Sequence, residues 1–261
     1  MRSARLFFVG GVTSYRALFG FLSPGVFIPS LLVAPVFQVL LFVYIGRSAG
    51  AESDEFYVIG NAIQYASIPC LFAMTQIISG ERFQQTLGFI LVTPAPRLPL
   101  YLGRALPVLA NAWFVSAFTF TVAYLLLDLD IPTSAFAPIA LVAAVAAFSC
   151  TGLGLLTAGI GLVVRETAVL SNVVFGLLLV FTGANVATDR LPEWMQAVGR
   201  WLPFTHAIEA ARRLAAGDAL GDVAGLVGVE ALIGCAYLVV GYAVLRQLEL
   251  LSRRHATLER A

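Results

Sequence analysis

Apolar residues run along this chain in long blocks, separated by short clusters of charge, glycine and proline. With about 20 apolar residues taken as one bilayer crossing, the pattern predicts six spans, at roughly 25–46, 57–79, 105–127, 134–163, 168–188 and 222–245. Lipid offers no hydrogen-bond partners to backbone N–H and C=O groups, so blocks of this length are helical. The expected fold is all-α and integral to the membrane, with residues 1–261 forming a single transmembrane domain. Ahead of the first span, 3–23 places Leu6, Val9, Val12, Leu18 and Leu22 near one helical stripe, with Arg2, Arg5 and Arg16 able to reach headgroups. This predicts an interfacial amphipathic helix, the alternative being a disordered basic leader. Pro24, Pro29 and Pro35 predict a kinked or irregular entry into the first span.

Charge orients the bundle. An even number of spans puts both termini on one side, and arginines near span ends are retained in the cytoplasm. With the termini inside, eleven arginines fall on the cytoplasmic side; only Arg47, Arg190, Arg200, Arg212 and Arg213 fall outside. The acidic outer loops "AESDEF" and "DLDIP" agree with that orientation.

The segment 80–104 interrupts the apolar pattern on the arginine-rich side, between the second and third spans. From 81 to 92, Phe83, Leu87, Ile90 and Leu91 recur at helical spacing, while Arg82, Gln84, Gln85 and Thr86 lie mostly elsewhere on the wheel. This predicts a short cytoplasmic helix over 81–93 that stops at Pro94, with Pro96 and Pro99 keeping the chain from resuming at once. A rigid helix on a stiff turn is suited to docking a partner. On the outer side, 189–217 predicts two further short helices. The first starts at Pro192 and carries Trp194, Met195, Val198 and Trp201 on its apolar side; Pro203 breaks it. The second, over 204–216, sets Glu209 three or four residues from Arg212 and Arg213, able to pair with either. Taken without further context, this segment reads equally as a surface loop with aromatic anchors.

Composition narrows the chemistry. The chain is 59% hydrophobic and 12% charged, with a mean hydropathy of +0.89. All 16 basic residues are arginines, which excludes any mechanism that needs a lysine, a Walker A phosphate-binding loop included. A net charge of +1 without a clustered basic face argues against nucleic-acid binding. Cys70, Cys150 and Cys235 lie inside apolar segments without metal-ligand spacing and read as small core residues. His206 and His255 fall on opposite sides of the membrane, so no metal site or proton relay is expected from them. No catalytic constellation is present. The glycines of "GLGLLTAGIGLVV", 152–164, lie in a continuous apolar segment and predict close helix approach. Among polar residues within spans, Asn61, Gln64 and Asn172 are the candidates for a substrate path, against the alternative that such groups join helices. Glu230 is the one acidic residue well inside a span; it reads either as functional or as a group that reaches water or pairs with a loop arginine.

Two ordered motifs are similar to one family. Glu81 and Arg82, then Thr86 and Leu87, then Leu91, Val92, Thr93 and Pro94, then Arg97, Gly103 and Arg104 resemble the pattern between spans two and three in membrane subunits of type-2 ATP-binding-cassette exporters. The chain departs at Gln85, where the family usually has glycine, and at Gly88, where an acidic residue is common. Leu191, Pro192, Trp194, Pro203, His206, Ile208, Glu209 and Arg212 resemble the family's outer segment before the last span, and Ala187 stands where a proline is usual. The resemblance implies a permease in a bacterial cytoplasmic membrane that exports an amphipathic molecule, drug-like or lipid. It implies a second permease chain, identical or related, and two separate nucleotide-binding ATPase subunits that bind ATP and Mg; this chain itself needs no cofactor. It implies that Glu81, Arg82, Gln84, Thr86, Leu87, Phe89, Leu91, Thr93, Pro94 and Arg97 couple to the ATPase. It implies further that Leu191, Pro192, Trp194, Pro203, Glu209 and Arg212 belong to outer helices that re-enter the membrane and close the exit. The alternative is a stand-alone six-span carrier or scaffold with no ATPase.

Overall fold

The computed structural model describes residues 28–76, 97–161 and 166–255, together with Gly11 and Val164. The interfacial helix expected at 3–23 and the cytoplasmic helix expected at 81–93 lie outside the described residues, apart from Gly11. Among the described residues every regular element is helical: α1 (Ala34–Ala49), α2 (Asp54–Gln64), α3 (Arg97–Leu127), α4 (Phe136–Ile160), α5 (Thr167–Phe181), α6 (Glu193–Gly199), α7 (Thr205–Ala215) and α8 (Leu220–His255).

Five stretches are long and apolar enough to cross a bilayer: Leu31–Ala49, Asp54–Gln76, Tyr101–Leu127, Thr133–Ile160 and Leu220–Leu248. The expected fifth span differs. Its helix α5 has 15 residues, about 22 Å of rise against a hydrocarbon core of about 30 Å. It ends at Phe181, and 182–186 continue as bends with Gly183 at φ +79°. The first span opens with a π-helical stretch, Ile28–Val33, before α1, as its prolines predict. A feature that hydrophobic periodicity had not indicated lies in span two. Pro69 lacks an N–H to donate into the helical ladder, and the chain turns at Tyr65 and Ala66 and then forms a π-helical stretch, Pro69–Ala73. The expectation that Pro99 delays the third helix is corrected: α3 begins at Arg97 and holds Pro99 in its first turn. There the missing N–H costs nothing, because first-turn N–H groups have no helical partner anyway.

Span two is the hub. In it 78% of the apolar window is buried, against 22% for the first and last spans. The half before its turn packs on α1, α3 and α7, and the half after it on α4, α3 and α5. The core is dense in small residues: Ala62 and Ala66 of span two, Ala146, Ala147 and Cys150 of α4, and Ala207 and Ala211 of α7 are all buried. Small side chains let helices approach closely where lipid supplies no hydrophobic drive between them. The most extensive helix pair, α4 with α8, uses glycine for the same purpose. A Cβ on Gly152 would stand 2.8 Å from the Gly234 carbonyl oxygen, and one on Gly241 would stand 2.8 Å from the Leu156 nitrogen. Gly154 abuts the Cys70 carbonyl of span two in the same way. The glycines of 152–164 act as close-packing positions, as expected. Cys70 and Cys150 are buried, whereas Cys235 is exposed on α8 and does not share their core role.

Candidate functional site

Two constructions stand out: a hairpin of short helices and a column of buried polar groups beside it. Helices α6 and α7 are joined by a tight turn at 200–204. Thr205 donates its hydroxyl to the Gly199 carbonyl at 2.7 Å, and the His206 Nε2 lies 3.0 Å from the Arg200 carbonyl, to which it donates. Pro203 is buried in this turn. Phe204 is wholly buried and takes a left-handed conformation, φ +79°, to start α7.

The turn is pinned to the last span. Glu230 accepts from the Phe204 N–H at 2.9 Å and from the Ala207 N–H at 3.3 Å, so one buried carboxylate serves the free donors at the start of α7. Tyr237 donates its hydroxyl to the Trp201 carbonyl at 3.1 Å. Along α8, Glu230 and Tyr237 lie ten and seventeen residues after Leu220, about 15 and 26 Å at 1.5 Å per residue. The eleven residues of α7 rise about 16 Å, matching the first of these. The hairpin therefore descends beside the start of α8, and its tip lies near the middle of that span. Of the two readings of Glu230, a loop-arginine partner is not what the structure contains.

Near the other end of the hairpin, Arg212 ties three segments together. Its Nη2 donates to the Phe56 carbonyl at 3.0 Å and the Ala184 carbonyl at 3.2 Å, and its guanidinium lies 3.4 Å from the Phe56 ring centre. In the last turn of α7, burial lowers its pKa to about 10, an effect opposed by the Glu52 and Glu209 carboxylates; it remains a cation at neutral pH. Gly60 leaves the space: a Cβ there would meet Arg212 at 2.8 Å. The anticipated pairing of Glu209 is corrected. Glu209 is exposed and makes no ion pair with Arg212, while Arg213 pairs with Asp218 at 2.7 Å. A further pair, Arg190 with Glu52 at 2.6 Å, fastens the approach to the hairpin onto the loop between the first two spans. Leu191 is half-buried, Pro192 caps α6, and Trp194 sets its ring edge-on to Phe181 at 5.8 Å.

The polar column follows span two. Asn61 donates to the Tyr57 carbonyl at 3.0 Å and to the Asn185 side chain at 2.9 Å. Gln64 and Ser67 are fully buried, yet neither the Gln64 amide nor the Ser67 hydroxyl finds a partner among the described residues. Farther along, Cys70 approaches Thr151 at 3.4 Å, and Thr75 lies 3.1 Å from Ser171. Buried polar groups without partners cost about 1–3 kcal/mol each, which sets Gln64 and Ser67 apart from Asn61, whose amide nitrogen is bonded.

Of the expected path residues, the structure brings Asn61 and Gln64 together on α2. It does not bring in the others: Asn172 is exposed on α5 and bonds its own Ala168 carbonyl, and Glu230 serves the hairpin. Of the expected coupling residues, Glu81, Arg82, Gln84, Thr86, Leu87, Phe89, Leu91, Thr93 and Pro94 lie outside the described residues, and Arg97 opens α3. Sequence reasoning overlooked Ser67, Phe204 and Tyr237: Ser67 is marked only by burial without a partner, and Phe204 and Tyr237 by bonds to residues 26 and 36 positions away, of which spacing carries no trace. Among the described residues no three His, Cys, Asp or Glu side chains gather as metal ligands.

A search of curated proteins finds no match. A model of the ABC-2 type transporter membrane domain matches residues 20–215, a range that takes in every span but the last, the polar column and the whole hairpin. With an all-helical, multi-span architecture and three quarters of its length matched, the chain belongs to the ABC-2 type transporter family, as a membrane permease component.

Proposed function

We propose that this chain is the permease half of an ATP-driven exporter in a bacterial cytoplasmic membrane, moving an amphipathic molecule outward. It has six spans with both termini inside, α5 being the short fifth, and it pairs with a second permease chain, identical or related. Two separate ATPase subunits hold ATP and Mg. Each grips the segment 81–93 of one permease: Glu81 and Arg82 hold it by ion pairs, Thr86 to Val92 fill the ATPase cleft, and Pro94 with Pro96 stiffens the link to α3. Closure of the ATPase pair on ATP then moves the spans and opens the outer end. The observation that carries this reading is the hairpin α6–α7, which reaches about halfway along α8 and packs against the outer half of span two, the half that holds Asn61 and Gln64. A plug at the outer end of a polar interior fits a route whose power is applied from the other side.

The test is affinity purification of the intact chain from its native membrane in mild detergent, followed by identification of partners and an ATPase assay. A stoichiometric soluble ATPase is expected to copurify and to be lost with Phe89→Asp; Glu81→Ala is expected to lower substrate-stimulated ATPase activity. A chain that purifies alone and without ATPase activity overturns the reading in favour of a stand-alone carrier.

A further inference from the structure

The arginines on the hairpin side of the molecule have partners, with one exception. Arg47 pairs with Asp54, Arg190 with Glu52 and Arg213 with Asp218, and Arg212 is bound to two carbonyls and a ring. Arg200, exposed at the tip of the hairpin, has no acidic, carbonyl or ring partner for its guanidinium among the described residues. Glu230, the acid bonded to the tip, already gives both oxygens to backbone N–H groups. The carbonyl of the next residue, Trp201, accepts from Tyr237, seventeen residues after Leu220, which puts this cation beside the middle of the last span. A charge at that depth calls for an anionic or polar partner.

Arg200 opens onto a cleft of about 590 Å³ between the hairpin tip and α8. Arg200, Trp201 and His206 form one wall, and Val229, Leu232, Ala236 and Val240 line the other. Those four lie on one helical face spanning eleven residues, about 16 Å, roughly half the hydrocarbon thickness. The cleft is thus an apolar trough the length of an acyl chain, open to the side, with one unpaired cation on its wall. We infer that it binds an anionic membrane phospholipid that enters sideways from the bilayer, its phosphate on Arg200 and an acyl chain along the α8 face. The guanidinium offers the phosphate a bidentate fork, and Trp201, 75% exposed, lies against the chain. This goes beyond the proposed function and holds for the permease without its ATPase.

Trp201 reports on the site directly. The full chain carrying Trp113→Phe and Trp194→Phe, which leaves Trp201 as its one tryptophan, is placed in nanodiscs of phosphatidylcholine. Small, equal fractions of chain-brominated phosphatidylglycerol or chain-brominated phosphatidylcholine are then added, and quenching of Trp201 is measured. Phosphatidylglycerol is expected to quench at a concentration lower by about tenfold, the effect of one charge-assisted contact. Arg200→Gln is expected to remove the preference, Arg200→Lys to keep most of it, and Ala236→Phe, which fills the trough, to reduce quenching by both lipids. Equal quenching by the two lipids means ordinary annular contact and overturns the proposal. Quenching by neither, as when a second copy of the chain covers the cleft, also overturns it. Both results leave the ATPase-coupled reading untouched, just as a missing ATPase leaves the lipid preference untouched.

Discussion

Glu230 shows how one side chain can carry an element. Its carboxylate receives two N–H groups at the start of α7, one of them from Phe204, whose left-handed backbone costs about 1–3 kcal/mol. Burial of the Phe204 ring and the bond to Glu230 together hold that conformation. Glu230→Gln keeps one carbonyl acceptor and is expected to cost about 1 kcal/mol; Glu230→Leu leaves two buried donors unserved and is expected to cost about 3 kcal/mol. Thermal unfolding of the purified variants in detergent checks the order, and equal stability of the two would remove the pin from the description. A lone intramembrane acid is conspicuous in a sequence, but its role is not. The residue it serves, Phe204, lies twenty-six positions upstream in a segment whose docking onto the last span no periodicity records.

At the scale of elements, contact between α4 and α8 rests on backbone approaching backbone. Gly152, Gly234 and Gly241 each face main-chain atoms of the opposite helix, and Gly234 also meets the Phe148 ring, so an added side chain has backbone in its way. Gly234→Val is expected to push the helices apart and destabilise the protein by about 3 kcal/mol or more, the upper range for overpacking. Gly228 lies on the same helix with open space where its Cβ would be. Gly228→Ala is expected to be neutral or to stabilise by up to about 1 kcal/mol through helix propensity. Comparing the two melting temperatures separates a packing glycine from a helix-weakening one. The close-packing role of 152–164 was legible from glycine in an unbroken apolar run. Their partners on α8 were not, because one helix's pattern does not name the helix it meets.

For the whole molecule, the arrangement predicts a reactivity pattern. Cys70 and Cys150 are enclosed around span two while Cys235 faces outward from α8. Maleimide is expected to leave Cys70 and Cys150 unmodified in the folded protein and to modify all three cysteines after denaturation, as read by intact mass. Rapid labelling of Cys70 in the folded state would contradict span two as the hub. The sequence by itself determined that the chain is helical, multi-span and of this family, because lipid imposes both the length of an apolar block and full internal hydrogen bonding on any backbone that crosses it. It also located the two short helices before the last span, since proline acts locally. Only the tertiary structure decided that span two lies at the centre and that Arg212 bonds carbonyls instead of Glu209. It alone decided that Glu230 anchors the hairpin while Arg200 is left facing a cleft. Each of these depends on which side chain meets which across helices, a choice that packing geometry makes among many apolar faces of nearly equal hydrophobicity.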